Sequence, residues 1–402
     1  MTADPARRRT AVFVLFFAPG LTISSWVTRT PDVRDLLGAS TAQMGLILSG
    51  LSVGSMAGIL CSGALVARWG ARLVVLAGTA AIAAGAALIG VGAGAGADLG
   101  VALGLGLFGL GMGGGEVALN VEGAEVERLL GRSTMPAMHG FFSLGTVVGA
   151  VAGMCLTAVG FPVLVHLVTV AAVVLAALAL VIRSVPAEVG RRTAAEPRER
   201  GTARAAAVWK DPALLLIGCV ILALAMAEGT ANDWLPLVMV DGHGFDAALG
   251  SAVYAVFAAA MTLGRFVGGR FVDRFGRAAA LCGSALVGAA GLALVIFVDN
   301  QAVAAAAAVL WGLGASLGFP VALSAAGDSG TGSAARVALA ATVGYVAFLV
   351  GPPSLGYLGE RFGLRHALIL VLALVVAAVF ATPAARSSRE ARQAREVEPA
   401  RG

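Results

Sequence analysis

Residues 108–120 read FGLGMGGGEVALN, and residues 311–324 read WGLGASLGFPVALS. Both stretches begin with an aromatic residue and Gly-Leu-Gly, both contain Val-Ala-Leu near their end, and both lie in long apolar runs. A second pair repeats at nearly the same separation, GALVARWG at 63–70 and GRFVDRFG at 269–276. An internal repeat built from membrane helices is typical of secondary transporters, in which the site lies between the repeats. The pattern therefore predicts two related halves.

The composition predicts a membrane protein. Of 402 residues, 58% are hydrophobic and 13% are charged, and the mean hydropathy is +0.89. Since ~20 apolar residues cross the hydrocarbon core, we expect an all-α membrane protein with twelve transmembrane helices in two pseudo-symmetric six-helix halves. The predicted spans are 10–30, 41–67, 73–97, 99–124, 138–159, 163–183, 212–236, 247–270, 278–298, 301–326, 337–358 and 366–385. The predicted domains are an N-terminal half at 1–183, a cytoplasmic linker at 184–209, a C-terminal half at 210–385 and a cytoplasmic tail at 386–402.

The basic residues predict the orientation. Of the 28 Lys and Arg residues, only Arg29, Arg34, Arg361 and Arg365 fall on the outer side when the N-terminus is inside. Because cytoplasmic loops carry the excess of Lys and Arg, we expect a multi-pass protein of the cytoplasmic membrane with both termini in the cytoplasm. The basic loops face the lipid bilayer, and the sequence has no groove-reading or aromatic pattern that would indicate nucleic-acid binding. The four cysteines lie singly in apolar spans, which indicates buried, inert thiols.

Ionisable residues inside the predicted spans are the candidates for function, because a charge in the membrane is costly. Glu116 lies deep in the fourth span, where loss of water disfavours its charged form, and Asn120 lies one turn further on the same face. Glu228 lies in the seventh span, with Asn232 one turn further. We also considered Glu122, Glu125, Asp233, Arg29 and His139. The alternative for all of these residues is a helix-end or interfacial role in which charges pair for stability.

One loop carries a family resemblance. Residues 269–277, GRFVDRFGR, resemble the G-x-x-x-D-R-x-G-R loop of the major facilitator superfamily. The family's Asp caps and pairs across the cytoplasmic side and steadies the outward-facing state. The resemblance implies gating roles for Gly269, Asp273, Arg274, Gly276 and Arg277, and, in the first half, for Gly63, Arg68 and Gly70. Ala67 stands where the family has the first-half Asp.

Closer resemblances cover nearly the whole chain. FFAPG at 16–20, WVTRTP at 26–31, EVALNVEGA at 116–124, MHGFFSLGT at 138–146, AEGTANDWLP at 227–236 and FLVGPP at 348–353 resemble the YbjJ-type inner-membrane branch. More distantly, Glu116 and Asn120 are similar to a Glu and an Asn of the fourth helix in the fucose permease group. In that group the Glu takes part in proton coupling. Val27 stands where that group has an Asp, so the resemblance leaves Glu228 as the candidate second carboxylate.

The sequence predicts a proton-coupled transporter of a small sugar-like or other polar solute that works by alternating access. Glu116 and Glu228 are the predicted proton-coupling residues. The predicted substrate-binding residues are Trp26, Asn120, Phe142, Ser143, Asn232, Tyr254, Phe319 and Tyr345, because amides bind hydroxyls and rings cover C–H surfaces. Proton-antiport export of drugs or metabolites is the alternative, and a receptor or scaffold leaves the membrane carboxylates unexplained. We expect a monomer with no enzymatic activity, cofactor or metal.

Overall fold

The computed structural model describes residues 5–131, 134–191, 211–328 and 333–386, and these residues form α-helices joined by short turns. We number the α-helices of these residues α1 to α14. They are α1 (Pro5–Val27), α2 (Thr30–Leu37), α3 (Thr41–Trp69), α4 (Ala71–Gly94), α5 (Asp98–Leu130), α6 (Met135–Ala158), α7 (Val163–Val181), α8 (Pro212–Leu237), α9 (Ala247–Phe275), α10 (Arg277–Phe297), α11 (Gln301–Ala315), α12 (Gly318–Asp328), α13 (Ser333–Phe362) and α14 (Leu364–Ala381).

The predicted spans are confirmed, with small differences at their ends. Eleven segments of the described residues are long and apolar enough to cross a membrane. The 30-residue helix α13 is long enough to be the twelfth. One element was not predicted from the sequence: α2 is a short helix of 8 residues that begins beside Pro31. Pro is favoured in the first turn of a helix, where its missing N–H costs nothing.

The tenth predicted span, 301–326, is broken in the structure. Helix α11 ends at Ala315 and α12 begins at Gly318, so Ser316 and Leu317 interrupt the span. The cause is Pro320, which cannot donate a hydrogen bond to the carbonyl of Ser316 and whose ring clashes with that carbonyl. At the repeat-related position the first half has Glu116, and α5 runs unbroken for 33 residues. The two halves therefore differ at this position of the repeat: the helix is broken in the second half and continuous in the first.

The described residues divide into two compact units. Unit 1 contains 5–131, 134–191, 233–258 and 352–364, and unit 2 contains 211–232, 259–328, 333–351 and 365–386. Unit 1 thus includes the six spans of the first half together with two segments from later in the chain. Helices α8, α9 and α13 each contribute residues to both units.

Glycine allows the helices of unit 1 to pack at short distance. A Cβ added at Gly54 of α3 would lie 2.0 Å from the carbonyl oxygen of Gly106 of α5, and one at Gly20 of α1 would lie 2.1 Å from the carbonyl oxygen of Phe142 of α6. Lipid tails are as apolar as the helix surfaces, so close packing at small residues stabilises helix pairs in a membrane. Helix α5 thereby packs on both α3 and α4, and α1 packs on α6.

The start of the predicted linker is part of the folded unit. The sequence predicts a flexible connector from 184 onward, but Val185 is fully buried in the core of unit 1. The amide N–H of Ala71 donates to the carbonyl of Val189 at 2.8 Å. These contacts attach the first residues of the segment to the turn between α3 and α4. The remainder, 192–209, and the tail at 387–402 lie outside the described residues.

Candidate functional site

Helices α5 and α6 bring a polar cluster together in unit 1. The imidazole Nε2 of His139 lies 3.1 Å from the amide oxygen Oδ1 of Asn120. Glu116 lies one turn before Asn120 on α5, and its side chain is exposed. The sequence analysis expected a carboxylate removed from water. Other residues of the protein leave the Glu116 side chain exposed, and its removal from water stays a prediction.

Three of the residues predicted to bind substrate are buried in unit 1. Trp26 is 1% exposed, Tyr254 is 2% exposed and Ser143 is 4% exposed. Tyr254 packs against Phe257, with ring centroids 6.3 Å apart. Phe142 is half-buried on α6. The described conformation therefore places Trp26, Ser143 and Tyr254 among other side chains.

Two other carboxylates of α5, Glu122 and Glu125, are held in ion pairs, as the alternative interpretation expected. Glu122 is fully buried and forms a two-pronged pair with Arg8 of α1, in which Arg8 Nε donates to one oxygen and Nη2 donates to the other at 2.9 Å. Glu125 pairs with Arg128 one turn further along α5 at 2.6 Å. Both contacts lie near the C-terminal end of α5, and the Arg8 contact also attaches α1 to it.

Arg29, one of the ionisable residues considered from the sequence, pairs with residues other than Glu116. Arg29 is 1% exposed. Its Nε donates to Nδ1 of His166 at 3.0 Å, and its Nη1 donates to Asp32 at 2.8 Å. His166 was not singled out from the sequence, although it lies in an otherwise uncharged run. This contact fixes the junction of α1, α2 and α7 and leaves Glu116 without that guanidinium.

Unit 2 contains a second ion pair within the membrane spans. Glu228 of α8 accepts a hydrogen bond from Nη2 of Arg265 of α9 at 2.8 Å. The side chains of Glu228 and Arg265 are 14% and 29% exposed. Arg265 was not singled out from the sequence, although it lies inside the predicted span 247–270. Arg265 lies ten residues before the end of a 29-residue helix, well inside the span.

The predicted aromatic residues of unit 2 lie together. The rings of Phe319 and Tyr345 have centroids 6.3 Å apart. A Cβ added at Gly344 would lie 2.6 Å from the Phe319 ring and 3.0 Å from Ile221 of α8, which places α8 against this pair. Asn232 is half-buried, one turn beyond Glu228. Of the ten residues predicted for coupling and substrate binding, six lie in unit 1 and four in unit 2.

Sequence and structure comparisons agree with this architecture. The family model described as Major Facilitator Superfamily matches residues 10–336. The chain belongs to the major facilitator superfamily. A relative named as an uncharacterized MFS-type transporter from Yersinia pestis is 32% identical over 368 residues, which cover 90% of this chain and 92% of that protein.

Solved major facilitator structures share the fold. A variant of the nucleoside transporter NupG has a TM-score of 0.78 at 15% identity, covering 94% of this chain and 99% of that one. The Escherichia coli fucose:proton symporter FucP has a TM-score of 0.65 at 17% identity, covering 94% and 98%. The expected likeness to the fucose permease group is thus present at the level of the fold.

The loops that resemble the major facilitator motif have matching local structure in the two halves. Gly70 and Gly276 have φ values of 84° and 83°, in the left-handed region that favours glycine. Arg68 lies over the ring of Trp69 at 5.5 Å, and Arg274 lies over that of Phe275 at 5.4 Å. Gly63 and Gly269 have open space where a Cβ would stand. Asp273 is exposed at the end of α9, and α10 begins at Arg277.

Contacts within unit 1 also join segments from the two halves of the sequence, at the end predicted to face outward. Arg34 of α2 pairs with Asp241, and the hydroxyl of Ser251 donates to the carbonyl of Thr28 at 2.8 Å. The amide of Ala42 donates to Glu360 at 3.1 Å. Burial lowers the pKa of Arg34, but the hydrogen bonds and charges of Asp241 and Asp35 outweigh burial, so its pKa lies above the ordinary value. Arg34 therefore stays charged in this contact.

Proposed function

We propose that this protein is a proton-coupled symporter, which carries a small sugar-like or other polar solute across the cytoplasmic membrane by alternating access. The observation that carries the proposal is the cluster of Glu116, Asn120 and His139 on two membrane helices. It combines an exposed carboxylate with an amide one turn further along α5 and with an imidazole of α6 beside that amide. Such groups inside membrane spans are costly and mark ion and substrate pathways.

Glu116 is the proposed proton carrier. Protonation removes its charge, so that the loaded protein can change conformation without moving an uncompensated charge through the membrane. Asn120 is the proposed substrate contact beside it, since an amide both donates to and accepts from hydroxyl groups. Glu228 and Asn232 on α8 are the matching proposed pair in the second half, with Phe319 and Tyr345 as apolar faces. The membership of the family and the folds of NupG and FucP support transport as the activity.

The gating and topology expectations remain part of this proposal. Asp273 and Arg274 lie in the one intact loop, and Ala67 leaves the first-half loop without a carboxylate. The proposed orientation has both termini in the cytoplasm, as the distribution of basic residues predicts. The proposed working form is a monomer in the bilayer, with protons and a small solute as its partners.

A thermal-shift screen of the purified protein tests the substrate class. A solute that binds only the folded state raises the melting temperature with its concentration. We expect sugars or other hydroxylated solutes to raise it and cationic drugs to leave it unchanged. The shift should be lost in Asn120→Ala and kept in Glu125→Gln, whose carboxylate pairs with Arg128 on the same helix. A shift with cationic drugs alone would instead support proton-antiport export.

A further inference from the structure

Arg265 faces the interior of unit 2, away from lipid. Leu263 and Val267 are 59% and 49% exposed, and at about 100° per residue both lie on the opposite side of α9 from Arg265. The neighbours of Arg265 on the inner side are Gly264 and Gly268. A Cβ added at these glycines would lie 2.4 Å from the hydroxyl of Ser316 and 2.2 Å from Leu317.

The residues beside Arg265 on α9 therefore pack against the break between α11 and α12. Broken membrane helices recur at transporter binding sites, because the irregular backbone is tolerated where it lines a cavity. The side chain of Arg265 is 29% exposed. A cation in a membrane span that is not fully covered by protein needs water around it, so Arg265 lines a hydrated space in unit 2.

The partner carboxylate, Glu228, lies on a row of α8 residues that leads to the aromatic pair of Phe319 and Tyr345. Glu228, Leu224 and Ile221 share one face, since their spacings of four and three residues are helical neighbours. A Cβ at Gly318, the first residue of α12, would lie 2.4 Å from Leu224. Ile221 lies beside Phe319 at the other end of the row. The pair of Glu228 and Arg265 thus lies at one end of this row of α8. Gly318, which follows the break, packs on the middle of the row, and the rings lie at its other end.

Few other charges face this pair in the described residues. The spans of α11 and α12 have no ionisable side chain between 301 and 327. On α13, Arg336 is held by Asp211 at 2.6 Å and by the carbonyl of Ala326. On α8, Asp233 is the next carboxylate, and it belongs to unit 1. Arg265 and Glu228 are therefore the two groups whose charges balance at this place.

We propose that Arg265 binds the carboxylate of an organic-acid substrate, and that protonation of Glu228 releases Arg265 for that contact. The guanidinium fork matches a carboxylate in geometry and charge. In the empty site Glu228 is negative and Arg265 is positive. When one proton binds Glu228 and one carboxylate binds Arg265, the sum of charges is again zero. The loaded protein can therefore change conformation without net charge at this site. The inference rests on the proposed function and narrows the polar solute to a hydroxylated or other organic acid.

Chemical rescue tests this inference without knowledge of the natural substrate. Glu228→Ala removes the competing carboxylate and leaves room beside Arg265. Sodium acetate or propionate should then raise the melting temperature of the variant by about 2–4 °C, whereas acetamide or propionamide at equal ionic strength should not. Glu228→Ala/Arg265→Ala should show no carboxylate-specific rise. Glu188→Ala, which removes an exposed carboxylate 3.6 Å from Arg191, is the matched control and should show none either.

One further variant keeps the test decisive if Glu228→Ala folds poorly. Glu228→Gln preserves the side-chain volume, carries no charge, and should also be stabilised by the carboxylates. An equal response to the amides, a response that survives loss of Arg265, or no carboxylate response in any of these proteins would overturn the inference. None of these outcomes bears on Glu116, so the proposal of proton-coupled transport would stand or fall separately.

Discussion

Replacement of Arg8 by Met should destabilise unit 1 more than any surface charge change. Arg8 is 6% exposed at its side chain and Glu122 is 0% exposed, and the contact is two-pronged. Removal of one partner of a buried ion pair costs about 3–5 kcal/mol, because the other charge is left uncompensated. For a unit of this size about 2–4 °C corresponds to 1 kcal/mol, so the expected fall in melting temperature is about 6–20 °C.

A double-variant cycle in detergent solution measures this prediction. Arg8→Met, Glu122→Met and the double variant are compared with Arg128→Met, which breaks the exposed pair with Glu125 and should cost far less. The double variant should be more stable than Arg8→Met, since it removes both charges and leaves apolar side chains. The reasoning is refuted if Arg8→Met costs no more than Arg128→Met, or if the double variant is less stable than both single variants.

Three further predictions concern packing, pH and gating. Gly54→Ala should cost about 1–3 kcal/mol of stability in a thermal melt, because its Cβ would meet a backbone carbonyl. Gly63→Ala on the same helix should leave the stability unchanged, and equal effects of the two variants would contradict this prediction. The hydrogen bond from Arg336 lowers the pKa of Asp211. The unaltered protein should therefore melt at a higher temperature than Asp211→Asn above about pH 4, and this difference should disappear as the pH falls through the lowered pKa. A difference that widens towards acid pH would contradict the prediction. Asp273→Asn should shift spin-label distances at the inner rim towards the inward-facing state, and Ala67→Asp should shift them the other way. Unchanged distances in both variants would contradict the gating role of this loop.

The sequence predicted the spans because their signal is local. Apolar runs of ~20 residues reflect the thickness of the hydrocarbon core, and basic loops reflect the orientation of the chain in the bilayer. The repeat at 63–70 and 269–276 has matching glycine conformations in the structure. The break at Ser316 also had a local signal in Pro320. It was missed because the surrounding apolar run of 301–326 is continuous in hydropathy, which does not register a lost hydrogen bond.

The pairings of the charged residues could not be predicted, because they depend on which helix faces meet. Arg29 finds His166, which is 137 residues away in sequence, and Glu228 finds Arg265. Hydropathy places Arg265 inside a span but does not give its direction around the helix. The i, i+4 spacing of Glu116 and Asn120 was visible in the sequence, whereas the contact of Asn120 with His139 required the packing of α5 on α6.

The most direct test of the central claim is proton movement driven by a solute in proteoliposomes. The purified protein is reconstituted with a pH-sensitive dye inside the vesicles, and solutes that raised its melting temperature are added outside. The account predicts that a transported solute acidifies the interior, and that a pH gradient drives its accumulation. Glu116→Gln should lose both effects and retain exchange of the solute at equal pH, while Glu125→Gln should behave like the unaltered protein. Accumulation of solute by Glu116→Gln against its gradient, or solute uptake by the unaltered protein with no movement of protons, would contradict the account.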